Sequence, residues 1–423
     1  MSTDVAGSDP AAMGAASANV GFLDRAGLWK VVLGNFLLTI VTLGIYRFWA
    51  KTRIRRYFWS NITILGEPLE YTGTGRELFV GFLIVLAILA PLIVAYYVLQ
   101  RILLGNPIAI LVLLVAYFVL LFVLIHIAVF RARRYQLTRT VWRGIRAGQT
   151  GSSWGYVGLA VLYTVISVVT LGLASPWMEV GLERYKMNNT WFGNSQFRLK
   201  ASGFKLFLRS LVVYALFFVP VIVAYAANFS WLIAAQRAGV GGDPGLPPPP
   251  EAFLLFFVAV FAGVPSVVWY TVAKFRYFAN STSLGEIRLK SAARTSSVLG
   301  YVIVFVLGLI GLVILLAIVV SVVAGVAAVS MSPLLSPDAD PVSTAQAARA
   351  IYLVALPIVF LLYLPLYELL SYCWLQVSLV RHFATTLTIE NIGELGRIAQ
   401  AARQNPRFGE GLADALDVGV GVL

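Results

Sequence analysis

Six stretches of this chain run for about twenty residues or more with hardly a charged side chain: 78–99, 108–130, 210–233, 252–273, 298–330 and 350–380. A bilayer core of ~30 Å takes about 20 apolar residues as helix. In lipid a spanning segment must satisfy its own backbone hydrogen bonds. These runs therefore predict an all-α polytopic membrane protein. Composition agrees, with 59% hydrophobic and 12% charged residues against about 25% charged in a soluble domain. Two more runs, 28–48 and 154–178, are equivocal, and hydropathy alone counts eight spans.

Charge placement favours six. Cytoplasmic loops of membrane proteins collect Lys and Arg. Suppose 28–48 and 154–178 enter and leave on one side, as re-entrant or interfacial helical hairpins. The loops facing away then hold only Arg101, Arg237 and Arg349 of the 32 basic residues. Eight simple spans put the basic clusters 47–56 and 184–209 on opposite sides. The expectation is six spans plus two hairpins, with both termini cytoplasmic and eight spans as the alternative. The net charge of +13 then belongs to a membrane surface and not to a nucleic-acid-binding face. Residues 1–20 lack the basic start and apolar core of a signal peptide and read as a disordered cytoplasmic tail. The stretches 243–250 and 332–341 read as linkers.

An internal repeat organises the chain. Val41-Thr42-Leu43-Gly44 returns as Val169-Thr170-Leu171-Gly172, an offset of 128 residues. The register holds without gaps for Trp49 and Trp177, Arg56 and Arg184, Tyr57 and Tyr185, Asn61 and Asn189, Gly75 and Gly203, and Phe79 and Phe207. A smaller element occurs five times: Arg56-Tyr57, Arg134-Tyr135, Arg184-Tyr185, Arg276-Tyr277 and Arg381-His382 each close an apolar segment. Stretches such as 61–66, 188–193 and 280–285 follow, alternating around a Gly, and read as short cytoplasmic β-hairpins. The expected divisions are a tail (1–20), a first membrane repeat (21–150), a second (151–297), a third span pair with its hairpin (298–390) and a cytoplasmic tail (391–423).

The stretch Asn35-Phe36-Leu37-Leu38-Thr39-Ile40-Val41-Thr42-Leu43-Gly44-Ile45-Tyr46, with Trp49-Ala50 and Arg56-Tyr57 after it, resembles the opening motif of the YjgN-like family. Arg276-Tyr277 and residues 280–288 follow the same pattern, so the resemblance spans roughly residues 22–390. It implies a multi-pass protein of the bacterial inner membrane and carries over no substrate or catalytic residue. Pro176 before Trp177 matches the family; the first copy has Phe48 there instead.

Few residues invite chemistry. Glu368 lies in the last apolar run beside Pro365, 13 residues before Arg381. An intramembrane carboxylate is costly and is a functional candidate by default; the plainer reading is a protonated Glu bonded to a neighbouring hydroxyl or carbonyl. Its nearest cations in sequence are Arg349 and Arg381. His126, near Arg131, is a second candidate, against an ordinary interfacial histidine. The five Arg-Tyr/His elements read as boundary Arg and aromatic-belt Tyr, or as a ring of cations around a cytoplasmic mouth or a site for anionic lipid heads. Glu179 and Glu183 are expected to pair with Arg184. Residues 72–76 (Thr-Gly-Thr-Gly-Arg) lack the spacing of a P-loop. One cysteine, Cys373, and two histidines do not make the usual metal site. No catalytic residue, metal or cofactor is expected, and no enzyme. The functions left are a transporter or channel for an ion or small solute, or a non-catalytic envelope protein organising lipids or partner proteins.

Overall fold

The computed structural model describes residues 17–238, 250–330 and 363–400, together with residues 349 and 361. The linker 332–341, all but the last residue of 243–250, and most of 350–362 lie outside the described residues. Among those described, five helices are long and apolar enough to cross a membrane: Gly75–Ile102, Pro107–Thr138, Gly203–Phe229, Leu254–Asn280 and Thr295–Val322. In the most apolar part of each, between none and 22% of the residues are buried against protein. A soluble fold would cover such surface; leaving it exposed fits a membrane protein. The helix starts follow local rules. Thr74 accepts from the Glu77 N–H at 3.4 Å, and Asn106 accepts from the Ala109 N–H at 3.0 Å with Pro107 behind it, as N-caps do.

The apolar runs at 28–48 and 154–178 are not single helices. Each breaks into a pair: Leu28–Val41 with Arg47–Asn61, and Ser153–Val169 with Ser175–Asn188. The Thr-Leu-Gly triplet makes the break. Leu43 and Gly44 have φ of 52° and 91°, and Leu171 and Gly172 have 51° and 88°. The Gly44 N–H reaches back to Thr39 O at 2.7 Å, and Gly172 to Ser167 O at 2.6 Å, the long bond of a Schellman helix end. Thr42 Oγ1 donates to Leu38 O at 2.7 Å and accepts from the Tyr46 N–H at 2.9 Å. Thr170 does the same with Ile166 O at 2.8 Å and the Ala174 N–H at 3.1 Å. One hydroxyl thus ends one helix and starts the next.

The β-hairpins do not stand apart, and here the all-α expectation is corrected: they join into one large antiparallel sheet. Strands β1 (Ser17–Asn19) and β2 (Gly21–Phe22) are halves of one extended segment around Val20. Strands β4 (Glu67–Pro68) and β5 (Glu70–Tyr71) flank Leu69 likewise. The others are β3 (Ile62–Ile64), β6 (Thr140–Trp142), β7 (Ile145–Gln149), β8 (Thr190–Phe192), β9 (Ser195–Leu199), β10 (Thr282–Leu284), β11 (Ile287–Ser291) and β12 (Leu387–Glu390). Pairing runs in chain order from β5 to β12, then from β12 to β1, while β2 pairs with β3 and β3 with β4. The Val20 N–H bonds Leu387 O and the Leu69 N–H bonds Ile62 O, both at 2.9 Å. The ladder therefore returns to its first strand, as a closed ring of ten extended segments. Inside it Val20, Leu284, Ile287, Ile389 and Ile398 are buried, with Ile62, Ile145, Phe192 and Phe197 packed on them.

Residues 17–22 form strand and 392–397 a 3₁₀ turn, because the ring supplies pairing and burial that neither segment has alone. Every described span meets the ring at one end, and both helical pairs leave the ring and return to it. The strands β3, β6, β8, β10 and β12 each begin six residues after the Arg of an Arg-Tyr/His element.

The 128-residue offset carries into the elements: 47–61 against 175–188, β3 against β8, and helix starts at Gly75 and Gly203. Both glycines lie against the repeat's tryptophan. A Cβ on Gly75 would sit 2.6 Å from the Trp49 ring and 2.8 Å from its Cα, and one on Gly203 would meet the Trp177 ring. Gly75→Ala and Gly203→Ala are each expected to cost about 1–3 kcal/mol by overpacking. Gly158→Ala, with nothing within 4 Å, should be neutral. Thermal unfolding midpoints in detergent check this; an unshifted midpoint for Gly75→Ala would mean that Trp49 moves aside freely.

Candidate functional site

The five Arg-Tyr/His elements sit where helix passes into ring. Arg56 donates to Gly73 O at 3.1 Å, Arg134 to Gly151 O at 2.5 Å, and Arg184 to Ala201 O. Each acceptor lies 17 residues on, where the returning strand turns into the next helix. The arginine thus closes its own β-hairpin with a charge-assisted bond. Arg276 is half-buried, and Arg381 pairs with Asp24. The aromatic neighbour holds a different segment. Tyr57 donates to Arg25 O at 2.5 Å, Tyr185 to Ser152 O at 2.8 Å and Tyr277 to Ser202 O at 3.2 Å. Tyr135 donates to Glu77 at 2.8 Å, which also takes a two-pronged contact from Arg139 at 2.8 and 3.1 Å. His382 Nε2 accepts the Arg294 N–H at 2.9 Å. These side chains clamp helix ends to the ring, a role that boundary statistics do not suggest.

Deeper in the helices polar residues are few. Glu368 is half-buried and precedes a π-helical stretch, Leu370–Gln376; such wide turns recur at functional sites. The cation acting on it is Arg47, at the start of the helix after the first Thr-Leu-Gly turn. Neither Arg349 nor Arg381 has that place, because Arg47 is far from Glu368 in the chain and its charge is brought to bear only by folding. His126 Nδ1 lies 2.8 Å from Phe122 O of its own helix, and its ring is 4.1 Å from the Phe122 ring. At the second turn, Ser175 Oγ and the Tyr214 hydroxyl are 2.8 Å apart, and that hydroxyl donates to Gly172 O at 3.1 Å.

Glu179 and Glu183 do not pair with Arg184, which is occupied at Ala201 O. Glu183 pairs with Lys186 at 2.6 Å and Arg133 at 3.4 Å; Glu179 pairs with Lys274 at 3.3 Å and accepts from Tyr270 at 3.0 Å. Residues adjacent in sequence point about 100° apart on a helix, so Arg184 faces its hairpin while Glu183 faces the neighbouring spans. Burial alone would raise the Glu183 carboxyl, but Lys186 and Arg133 outweigh it and hold it below the usual carboxylate range. Among the described residues no three His, Cys, Asp or Glu side chains cluster as metal ligands would.

Apolar helices with lipid-facing sides, gathered on one sheet, define a membrane protein. The sequence profile of the family described as "Bacterial protein of unknown function (DUF898)" matches residues 24–415, and the chain belongs to that family. It is 32% identical over 165 residues to "Inner membrane protein YjgN" of Salmonella typhimurium, covering 36% of this chain and 39% of that one. Over 49 residues it is 45% identical to the protein of that name from Escherichia coli K12, 12% of each chain. No solved structure matches.

The His382 bond gives a pH dependence. Burial first, with the Arg294 charge, holds this imidazole below its ordinary value of 6.5. The neutral ring accepts the Arg294 N–H; the protonated ring cannot. The stabilisation is complete above the unfolded imidazole's pKa and is lost as pH falls through the lower folded value. Acidification from about pH 7 to about pH 5 should lower the protection of amides 291–297, taken relative to their intrinsic exchange rates at each pH. His382→Gln, whose Oε1 accepts without titrating, should remove that loss of protection. Equal loss in both proteins would place the titrating group elsewhere.

Proposed function

We propose that this is a non-catalytic inner-membrane protein that loosens and organises the lipid leaflet on its sheet side. One observation carries the reading. The two Thr-Leu-Gly turns point bulky apolar residues outward: Leu43 is 94% exposed and Leu171 93%, each in the left-handed region that leucine adopts only at a cost. The turns reach part-way along the spans. Tyr214, level with the second tip, is eleven residues after the start of its helix at Gly203, or ~17 Å at ~1.5 Å per residue. That is about half of a ~30 Å hydrocarbon core. An apolar wedge ending at mid-depth occupies one leaflet and leaves the other unfilled beneath it.

The same reading takes the sheet side as cytoplasmic, by the excess of Lys and Arg there, with six spans, two half-depth hairpins and a duplicated gene behind the 128-residue register. It follows that a periplasm-active reporter fused after Gly66, Asn194 or Ser283 should be silent, and activity at any of these would reverse the orientation. A second reading, transport of a proton or small cation, is favoured by Arg47 acting on Glu368 beside a π-helical stretch.

Proteoliposomes separate the two. The wild type should lower the order reported by a lipid-packing dye, and Leu43→Asn with Leu171→Asn should remove most of that effect while solute flux stays absent. Unchanged lipid order, together with ion flux that Glu368→Gln abolishes, would replace the lipid reading with the transport one.

A further inference from the structure

The ring has two mouths. One faces the helices, and the other is rimmed by the hairpin turns at 65–66, 143–144, 193–194 and 285–286. After β12 the chain does not leave this far mouth but crosses it. Asn391 turns left-handed at φ 61°, its side chain donating to Glu286 O at 3.0 Å. Residues Ile392–Arg397 form a 3₁₀ turn. Three residues per turn put every third side chain on one edge, and Ile392, Leu395 and Ile398 all pack on the ring's apolar interior. Glu394 and Arg397 pair on the outer edge at 2.7 Å. The segment lands on β7 and the β8–β9 turn, which the pairing order puts across the ring from β12. There the Ala399 N–H bonds Asn194 Oδ1 at 3.3 Å, and Gln400 Oε1 accepts the Arg146 N–H at 2.7 Å. Gly193 lets it pass: a Cβ there would lie 2.7 Å from Ile398 Cγ2.

We propose that the far mouth of the ring is a docking groove for an apolar segment of a partner protein, and that residues 391–400 occupy it in cis. The strap fills the ring without being held by any strand ladder. Scattered single bonds and three aliphatic side chains keep it there, so it can leave without breaking a β-pairing, as low-stability segments do. It carries Gly393 and Gly396, which favour the unbound chain. What it fills is described by its own chemistry: aliphatic side chains at every third residue, a polar outer edge, and polar groups that meet the rim near both ends. A partner segment with that pattern can take its place.

The test uses the full-length protein in nanodiscs and a fluorescent peptide copying residues 390–400. Leu395→Ser with Ile398→Ser should free the groove, and this variant should bind the peptide at least tenfold tighter than wild type by anisotropy. A control peptide with serine at all three aliphatic positions should not bind. A lock, Asn194→Cys with Ala399→Cys in a Cys373→Ala background, should exclude the peptide when oxidised and admit it more readily when reduced. Amide exchange of β7, β8 and β12 reports whether the ring is intact in each variant. An intact ring that ignores the peptide would make the strap permanent core. Equal binding by wild type and variant, by the control peptide, or by locked and reduced forms would put the peptide elsewhere. A ring that exchanges freely once the strap is loosened would also overturn the proposal, since the groove would not exist without it.

Discussion

Closure of the antiparallel ladder is the constraint on which the rest of the molecule depends. An exposed strand edge is a row of unpaired N–H and C=O groups and a template for aggregation, and strands of two to five residues are too short to be stable alone. The chain meets both difficulties by pairing each hairpin with the next and closing the circuit with segments from near its two ends, β1 and β12. The first and last described parts of the chain must therefore meet before the ring exists. The spans inherit their arrangement from this. Each described span starts or ends at a strand of the ring, so the ring fixes which helix ends are neighbours.

The clamps explain why so many arginines lie at the helix ends. Arg56, Arg134 and Arg184 each tie the carbonyl 17 residues on, and Tyr57, Tyr185, Tyr277 and His382 tie the segment leading into another helix. A helix leaves four carbonyls unsatisfied at its end, and the tight passage from helix to strand adds more backbone groups with no ladder partner. Arginine, with five donors in a rigid fork, reaches such groups at the edge of lipid, where water is scarce. These basic residues thus satisfy backbone groups where helix passes into ring.

The two helical pairs are the part with no obvious structural need. The ring would close with a short loop in place of either. Instead each pair turns on one threonine hydroxyl and holds a leucine outward in a conformation leucine avoids. A polar contact holds the second turn against its span, between Ser175 and Tyr214, and at the first the Arg47 charge bears on Glu368. These are the places where local backbone preferences are broken.

The apolar runs, the Thr-Leu-Gly repeat, the five Arg-Tyr/His elements and the positions of β3, β8 and β10 were legible in the sequence, because each depends on chemistry within a few residues: lipid-length apolarity, a turn's φ signs, alternation around a glycine. Glu368 and His126 were visible as oddities, yet their partners were not, since Arg47 reaches Glu368 across the whole chain while Phe122 is simply the turn before His126. Residues 17–22 and 392–400 gave no signal, having neither alternation nor length; a strand of two or three residues exists only because a partner strand offers hydrogen bonds. The sequence by itself determined which segments enter lipid and where each turn falls, since those are local free energies. Only the tertiary structure decided that separate hairpins become one closed ring with a strap across its mouth, because pairing between distant strands depends on which edges meet in space, and no single stretch of sequence contains that.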